Sequence, residues 1–205
     1  MVFLEKILDG KQSKSNMRII AGKMKGSTLY LSKNRSTRPL KDIVRESIFN
    51  LLKHSNKISF KFEESNVLDL YAGTGSFGLE CISRNAKNVF FVENKKEAIK
   101  TLEKNIKKLN VSKNTQIMSC DVFKFLKGRK NSQTKFDLIF CDPPFKIENI
   151  EKLIELIFNS NLLSKKGTII LHRNKGSIEK FPHNFETIEE RIYGISKIIF
   201  GKFLI

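Results

Sequence analysis

Four consecutive residues, Asp142-Pro143-Pro144-Phe145, follow the apolar run Phe136–Cys141 and bring together the groups needed to handle an aromatic amine. The Asp142 carboxylate can accept one N–H of such an amine, and the Pro143 carbonyl can accept the other. Two successive prolines fix backbone angles, so that carbonyl is held rigidly. Phe145 can stack on a heteroaromatic ring. The lone pair of an exocyclic amine on a nucleic-acid base is delocalised into the ring. Two acceptors pull the nitrogen toward tetrahedral geometry and aim the lone pair at an electrophile. The base must be flipped or single-stranded for the amine to be reached. Taken alone, Asp and Pro also make stiff turns.

A second constellation lies upstream in VLDLYAGTGSFGLE, where an apolar strand runs into Gly73, Thr74 and Gly75 before a helix begins near Phe77. Gly73, Gly75 and Gly78 match G-x-G-x-x-G, and Glu93 ends the next strand near the spacing at which a carboxylate holds a ribose diol. That pattern alone leaves an NAD(P)-dependent oxidoreductase open. Asp69 shifts the balance, because a carboxylate four residues before Gly73 repels a pyrophosphate. It attracts the ammonium of a methionine moiety and adds negative potential near a sulfonium. The cofactor implied is S-adenosyl-L-methionine, with Tyr71 in the same loop. Asp121, after the third strand, is placed to accept from an adenine amino group with Val122 beside the ring; a helix N-cap is the compatible alternative.

The elements that must carry these residues alternate in order. From Asn66 onward the strands VLDLY, NVFFVE, TQIMSC, FDLIFC and GTIILHR are separated by the amphipathic stretches FGLECISR, KKEAIKTLEKNIKKL, VFKFLK and ENIEKLIELIFN. This predicts an α/β fold, a doubly wound, mostly parallel Rossmann-like sheet with the chemistry at its carboxyl edge. FETIEERIY and SKIIFGKFLI flank Gly194 with no room for a helix, and predict a C-terminal antiparallel strand pair. Upstream, Arg18 to Leu31 reads as a basic β-hairpin turning on Gly22 and Gly26. A helix follows, capped by Thr37 with Pro39 in its first turn. Leu40, Ile43, Val44, Ile48, Leu51 and Leu52 recur on its apolar face, with Lys41 and Arg45 on another. The division expected is an N-terminal extension over 1–16, the hairpin and helix over 17–60, and a methyltransferase domain over 61–205.

Composition narrows the class. No stretch approaches the ~18 apolar residues of a membrane span, and the first sixteen residues lack the pattern of a signal peptide. The three cysteines, Cys81, Cys120 and Cys141, lie in or beside apolar runs and fit buried thiols in a reducing cytoplasm. His54, His172 and His183 are scattered without metal-ligand spacing, so no metal is indicated and surface or core histidines are expected. Neither a G-x-S-x-G elbow nor a P-loop occurs. The net charge of +17 favours a polyanionic partner. A Lys-rich codon bias offers a second origin for that charge.

With these residues in view, the chain resembles the bacterial methyltransferases that modify guanine N2 in 16S small-subunit ribosomal RNA. The resemblance runs from about Met17 to the C-terminus and is carried by MRIIAGKMKG, RPLKDIVRESIFNLL, VLDLYAGTGSFGLECISRNAKNVFFVE and FDLIFCDPPF. It implies that Asp69, Gly73, Gly75, Glu93 and Asp121 bind the cofactor, and that Asp142, Pro143, Pro144 and Phe145 form the catalytic pocket. It also implies that the basic segment, with Lys23, Lys25, Arg38 and Arg45, approaches 16S ribosomal RNA or a small-subunit assembly particle. For Arg38 and Arg45 an equal alternative is structural pairing with Asp42, Glu46 or the core. Two departures stand out: Leu40 where the family usually has Thr, and Ser27 where it usually has Arg. A DNA adenine-N6 methyltransferase uses the same DPPF chemistry but normally needs a larger target-recognition domain, and a catalytically silent RNA-binding module is a third class. Monomer is the default state.

Overall fold

The computed structural model describes residues 17–32, 42–129, 133–147 and 149–204. Its elements are α1 (Asp42–His54), β1 (Asn66–Leu70), α2 (Ser76–Ser83), β2 (Asn88–Glu93), α3 (Lys96–Lys108), β3 (Thr115–Ser119), α4 (Val122–Lys127), β4 (Phe136–Cys141), α5 (Ile150–Asn159), β5 (Leu163–Asn174), β6 (Phe185–Tyr193) and β7 (Ser196–Phe203). The strands form one sheet in the order β3-β2-β1-β4-β5-β7-β6. The first five are parallel neighbours, and β7 runs antiparallel between β5 and β6. The strand order reverses between β1 and β4, which opens a crevice at their carboxyl ends. The alternation of strand and helix read from the sequence is the alternation observed.

The central strands are apolar almost throughout because helices cover both faces of the sheet. Alternation along β4 divides the core: Leu138 and Phe140 pack with α1, α2 and α3, whereas Ile139 and Cys141 pack with α4 and α5. Phe77 of α2 stacks on Phe140 at 3.8 Å and on Phe49 of α1 at 5.0 Å. This aromatic column fixes α2, and with it the glycine loop, against the strand that delivers Asp142.

The N-terminal part shows how the expected hairpin and helix dock on the domain. The hairpin is short, one antiparallel bridge of Arg18 with Thr28 flanked by cross-arm bonds from Ile19 N–H to the Ser27 carbonyl and from Leu29 N–H to the Met17 carbonyl, and the domain takes several of its other amides. Glu80 accepts from the Ile20 and Ala21 amides at 2.7 and 2.9 Å, the Ser83 hydroxyl accepts from Met24 N–H, and Asn105 accepts from Tyr30 N–H at 2.8 Å. Gly22 sits at φ +85°, and a Cβ there would lie 1.9 Å from the Ser83 carbonyl, so the strap needs glycine to lie this close to α2. In α1, Ile43 is 66 % exposed and Phe49 is in the core. The buried stripe runs Val44, Ile48 and Leu52, with Arg45 and Phe49 beside it. Thr37, Pro39 and Leu40 lie outside the described residues, as does 1–16. Ile58 and Phe62, on either side of the expected boundary at residue 60, share one hydrophobic cluster with α1 and α2.

Candidate active site

Four strand ends bring the sequence-predicted groups to one edge. Asp69 points to the α2 side of the sheet, is almost fully buried, and accepts from Gly78 N–H at 3.0 Å. Burial holds its carboxyl well above the ordinary value of 3.8; the Gly78 bond opposes this, and the charges of Asp142 and Glu93 push further up. Those two neighbours therefore share one field with Asp69. Glu93, buried at the end of β2, accepts from Gly73 N–H at 2.8 Å and from the Asn94 and Lys95 amides at 2.9 Å.

The glycines of G-x-G-x-x-G divide their work. Gly73, at φ +56°, faces open space: a Cβ there would meet no atom within 4 Å. Gly75 and Gly78 are packing positions: a Cβ would meet Leu102 Cδ1 at 2.3 Å in the first case and Phe91 Cε1 at 2.4 Å in the second. Of the three, Gly73 is the one that leaves room for a ligand. Asp121 caps α4, its Oδ1 accepting from Lys124 N–H at 3.1 Å. Val122, the first residue of α4, packs in the core with Leu70, Val92 and Leu126. Tyr71, at φ +61°, packs against the same cluster. Its hydroxyl is buried without a partner among the described residues, and burial raises its pKa, with Cys141 and Asp121 adding to the shift.

Asp142 follows β4 directly, and its N–H donates to the Leu70 carbonyl at the end of β1, 3.3 Å away. Its carboxylate is 27 % exposed, and Phe145 is 45 % exposed, so both reach the crevice. The Pro144 carbonyl is occupied, accepting from Ile147 N–H at 2.9 Å and from Arg173 Nη1 at 3.4 Å.

Sequence reasoning misses the partners of this tetrapeptide. His172 Nδ1 lies 2.7 Å from Asp142 Oδ1, His172 Nε2 lies 3.0 Å from Ser196 Oγ, and Arg173 Nη2 donates to the Ile147 carbonyl at 2.8 Å. The absence of metal-ligand spacing around His172 says nothing about such a role. The usable signal is different: His172 lies near the end of the fifth strand, and that strand neighbours β4.

The described residues, from the strap to β7, match a family model over residues 17–202, described as Conserved hypothetical protein 95. The Haemophilus influenzae protein named Ribosomal RNA small subunit methyltransferase D is 34 % identical over 184 residues, covering 89 % of this chain and 92 % of that one. This chain belongs to the ribosomal RNA small-subunit methyltransferase D family. A candidate ribosomal RNA methyltransferase of Bacillus subtilis is 35 % identical over 78 % of this chain and 83 % of its own length. Among solved structures, a candidate methyltransferase from Escherichia coli superimposes with a TM-score of 0.78 at 26 % identity, covering 92 % of this chain and 98 % of that one.

In this member of the methyltransferase D family the basic residues expected to meet RNA fall in different places. Lys23 and Lys25 are exposed or nearly so, but Lys23 N–H bonds the Ser83 carbonyl at the end of α2. Eight residues of helix, about 12 Å, separate that point from the glycine loop. Both lysines stand at the opposite edge of the sheet from Asp142. Of the two roles open for Arg45 the structural one is observed: it is 0 % exposed, bonding the Arg18 carbonyl and Asp42 at 3.0 Å. Burial lowers its pKa, and Asp42 and Glu80 draw it back. It ties the strap to α1 and presents no surface to RNA. Arg38 lies outside the described residues.

Proposed function

We propose that this protein transfers a methyl group from S-adenosyl-L-methionine to the exocyclic N2 of a guanine in small-subunit ribosomal RNA. The observation that carries the reading is the juxtaposition of a part-exposed Asp142, with Phe145 beside it, and the cofactor loop on the neighbouring strand end. Family membership supports ribosomal RNA as the acceptor.

The residues present fit the cofactor. The charges of Asp142 and Glu93 both act on Asp69, and such a cluster of carboxylates suits a sulfonium with an ammonium and opposes a pyrophosphate. The open face of Gly73 admits close backbone approach, Glu93 is oriented by three amides toward a ribose diol, and Asp121 keeps its Oδ2 for an adenine amine. When bound, the cofactor supplies an electrophilic methyl group. Asp142 and the Pro143 carbonyl then take the two N–H groups of N2 and aim its lone pair at that methyl. Phe145 holds the extruded base by stacking. Asp142 is also placed to receive the proton that N2 sheds as the new N–C bond forms.

For the RNA backbone, the exposed face of α3 fits better than the hairpin turn. Lys100, Lys104, Lys107 and Lys108 line a groove with Tyr30 and Ser32, and Lys108 Nζ lies over the Tyr30 ring at 4.8 Å. Asn105, on the buried face of the same helix, donates to the Thr74 carbonyl at 3.0 Å, which ties α3 to the cofactor loop, and phosphates on the lysine face would add the sequence-independent part of the affinity.

The test is transfer of labelled methyl to small-subunit particles lacking modifications, followed by nucleoside analysis, with duplex DNA in parallel. N2-methylguanine in the RNA is expected, and Asp142→Ala should abolish it while cofactor affinity stays within a few-fold. N6-methyladenine in DNA would reassign the substrate, and full turnover by Asp142→Ala would remove the mechanism.

A further inference from the structure

The loop that carries Asp142 and Phe145 is gripped by two adjacent residues of β5. His172 and Arg173 project to opposite faces of the strand, yet each bonds the 142–147 segment, His172 through Asp142 Oδ1 and Arg173 through the Pro144 and Ile147 carbonyls. Arg173 is in turn held by Glu179 at 2.7 Å, both side chains being about as buried as the core.

We propose that His172 is the positioning residue for Asp142, fixing the carboxylate plane so that Oδ2 alone is presented to the amine of the target base. This rests on the assignment of Asp142 above. The hydrogen-bond chain sets the roles. An ionised carboxylate only accepts, so Nδ1 carries a hydrogen and donates to Oδ1. In the neutral ring Nε2 then accepts from the Ser196 hydroxyl, 3.0 Å away on β7; in the charged ring it donates to the same oxygen. Either way Nδ1 faces Asp142 and the ring cannot turn without breaking both bonds. The ring is also buried and meets the Phe145 ring edge-on, with centroids 5.5 Å apart at 74°. One side chain therefore orients both the acceptor and the stacking arm of the pocket. Ser196 reaches the site only because β7 inserts antiparallel beside β5, pairing His172 with Ile198 and Asn174 with Ser196.

Two conservative variants separate this role from simple packing. The amide nitrogen of Asn takes the place of Nδ1, whereas that of Gln takes the place of Nε2. With particles as acceptor, His172→Asn is expected to keep kcat within about threefold, and His172→Gln to lose about 10- to 100-fold in kcat, the scale of a misaligned reacting group. Dissociation constants for S-adenosylmethionine, and melting temperatures, should match wild type in both. Equal kcat values for the two variants overturn the inference. If His172→Gln does not fold, Ser196→Ala decides instead: it removes the ring's second anchor, and a wild-type kcat there overturns the inference too. Activity surviving in Asp142→Ala would sink the assignment of the tetrapeptide; loss in Asp142→Ala together with equal Asn and Gln variants would sink only the role of His172.

Discussion

Replacing Asp69 by Asn separates two consequences of burying a carboxylate at the end of β1. The amide keeps an oxygen that can accept from Gly78 N–H, the hydrogen bond Asp69 makes at 3.0 Å, and removes the charge. A charge-assisted hydrogen bond to the ammonium of the methionine moiety contributes about 1.5–3 kcal/mol. Its loss therefore weakens binding by roughly 10- to 150-fold, and the lost attraction to the sulfonium acts in the same direction. Stability moves the other way. Burial first, then Asp142 and Glu93, raise the Asp69 pKa in the fold above its ordinary 3.8. The fold therefore favours the protonated form: the contribution to stability is full below that ordinary value and is lost as pH rises through the folded-state value. Asn does not titrate, so the variant should equal or exceed wild type in stability at neutral pH, with the difference vanishing in acid. A cationic ligand lowers the Asp69 pKa, so wild-type affinity should climb as pH rises toward the raised value of the unliganded fold, and the variant should lack that rise. Titration calorimetry with S-adenosylmethionine across pH and urea unfolding at matched pH read both effects. Unchanged affinity in Asp69→Asn, or a loss of stability well beyond the ~1 kcal/mol of one neutral hydrogen bond, would refute the reasoning.

Two further outcomes follow from the strap and from α3. Glu80 is fully buried, holds two strap amides and pairs with Arg84 at 2.9 Å. Glu80→Ala leaves the mostly buried Arg84 without its carboxylate and the two strap amides without their acceptor, and should cost about 3–5 kcal/mol in urea unfolding; a loss under about 1 kcal/mol, the net value of one hydrogen bond, counts against that role. The double variant Lys100→Glu, Lys104→Glu should weaken RNA binding and flatten the salt dependence by about 0.7 per lost phosphate contact on single-stranded RNA. An unchanged salt slope would move the RNA path off α3.

The expected family and the alternation of strand and helix were legible because each rests on local chemistry. Apolar runs of strand length, glycines before a helix and carboxylates at strand ends keep their meaning without knowledge of the neighbours. β2, α4 and β4 have the bounds the sequence predicted, since each is flanked by an abrupt change from apolar to polar residues. The basic segment was left open by the sequence because a lysine or arginine looks alike there whether it faces water or a buried carboxylate. For Arg45 the spacing left an RNA contact and a structural pairing equally open, and only the packing of α1 on the strap and α2 decides for the second.

The sequence by itself determined which side chains could bind a cationic cofactor and activate an amine, and which strand ends would carry them. The tertiary structure decided who supports them. Asp142 lies 30 positions from His172, which in turn lies 24 from Ser196, and nothing in their spacing links them. They meet because a parallel sheet brings β4 beside β5 and an antiparallel insertion brings β7 beside β5. Pairing between strands distant in the chain is set by the burial of whole faces, which no local window of residues records.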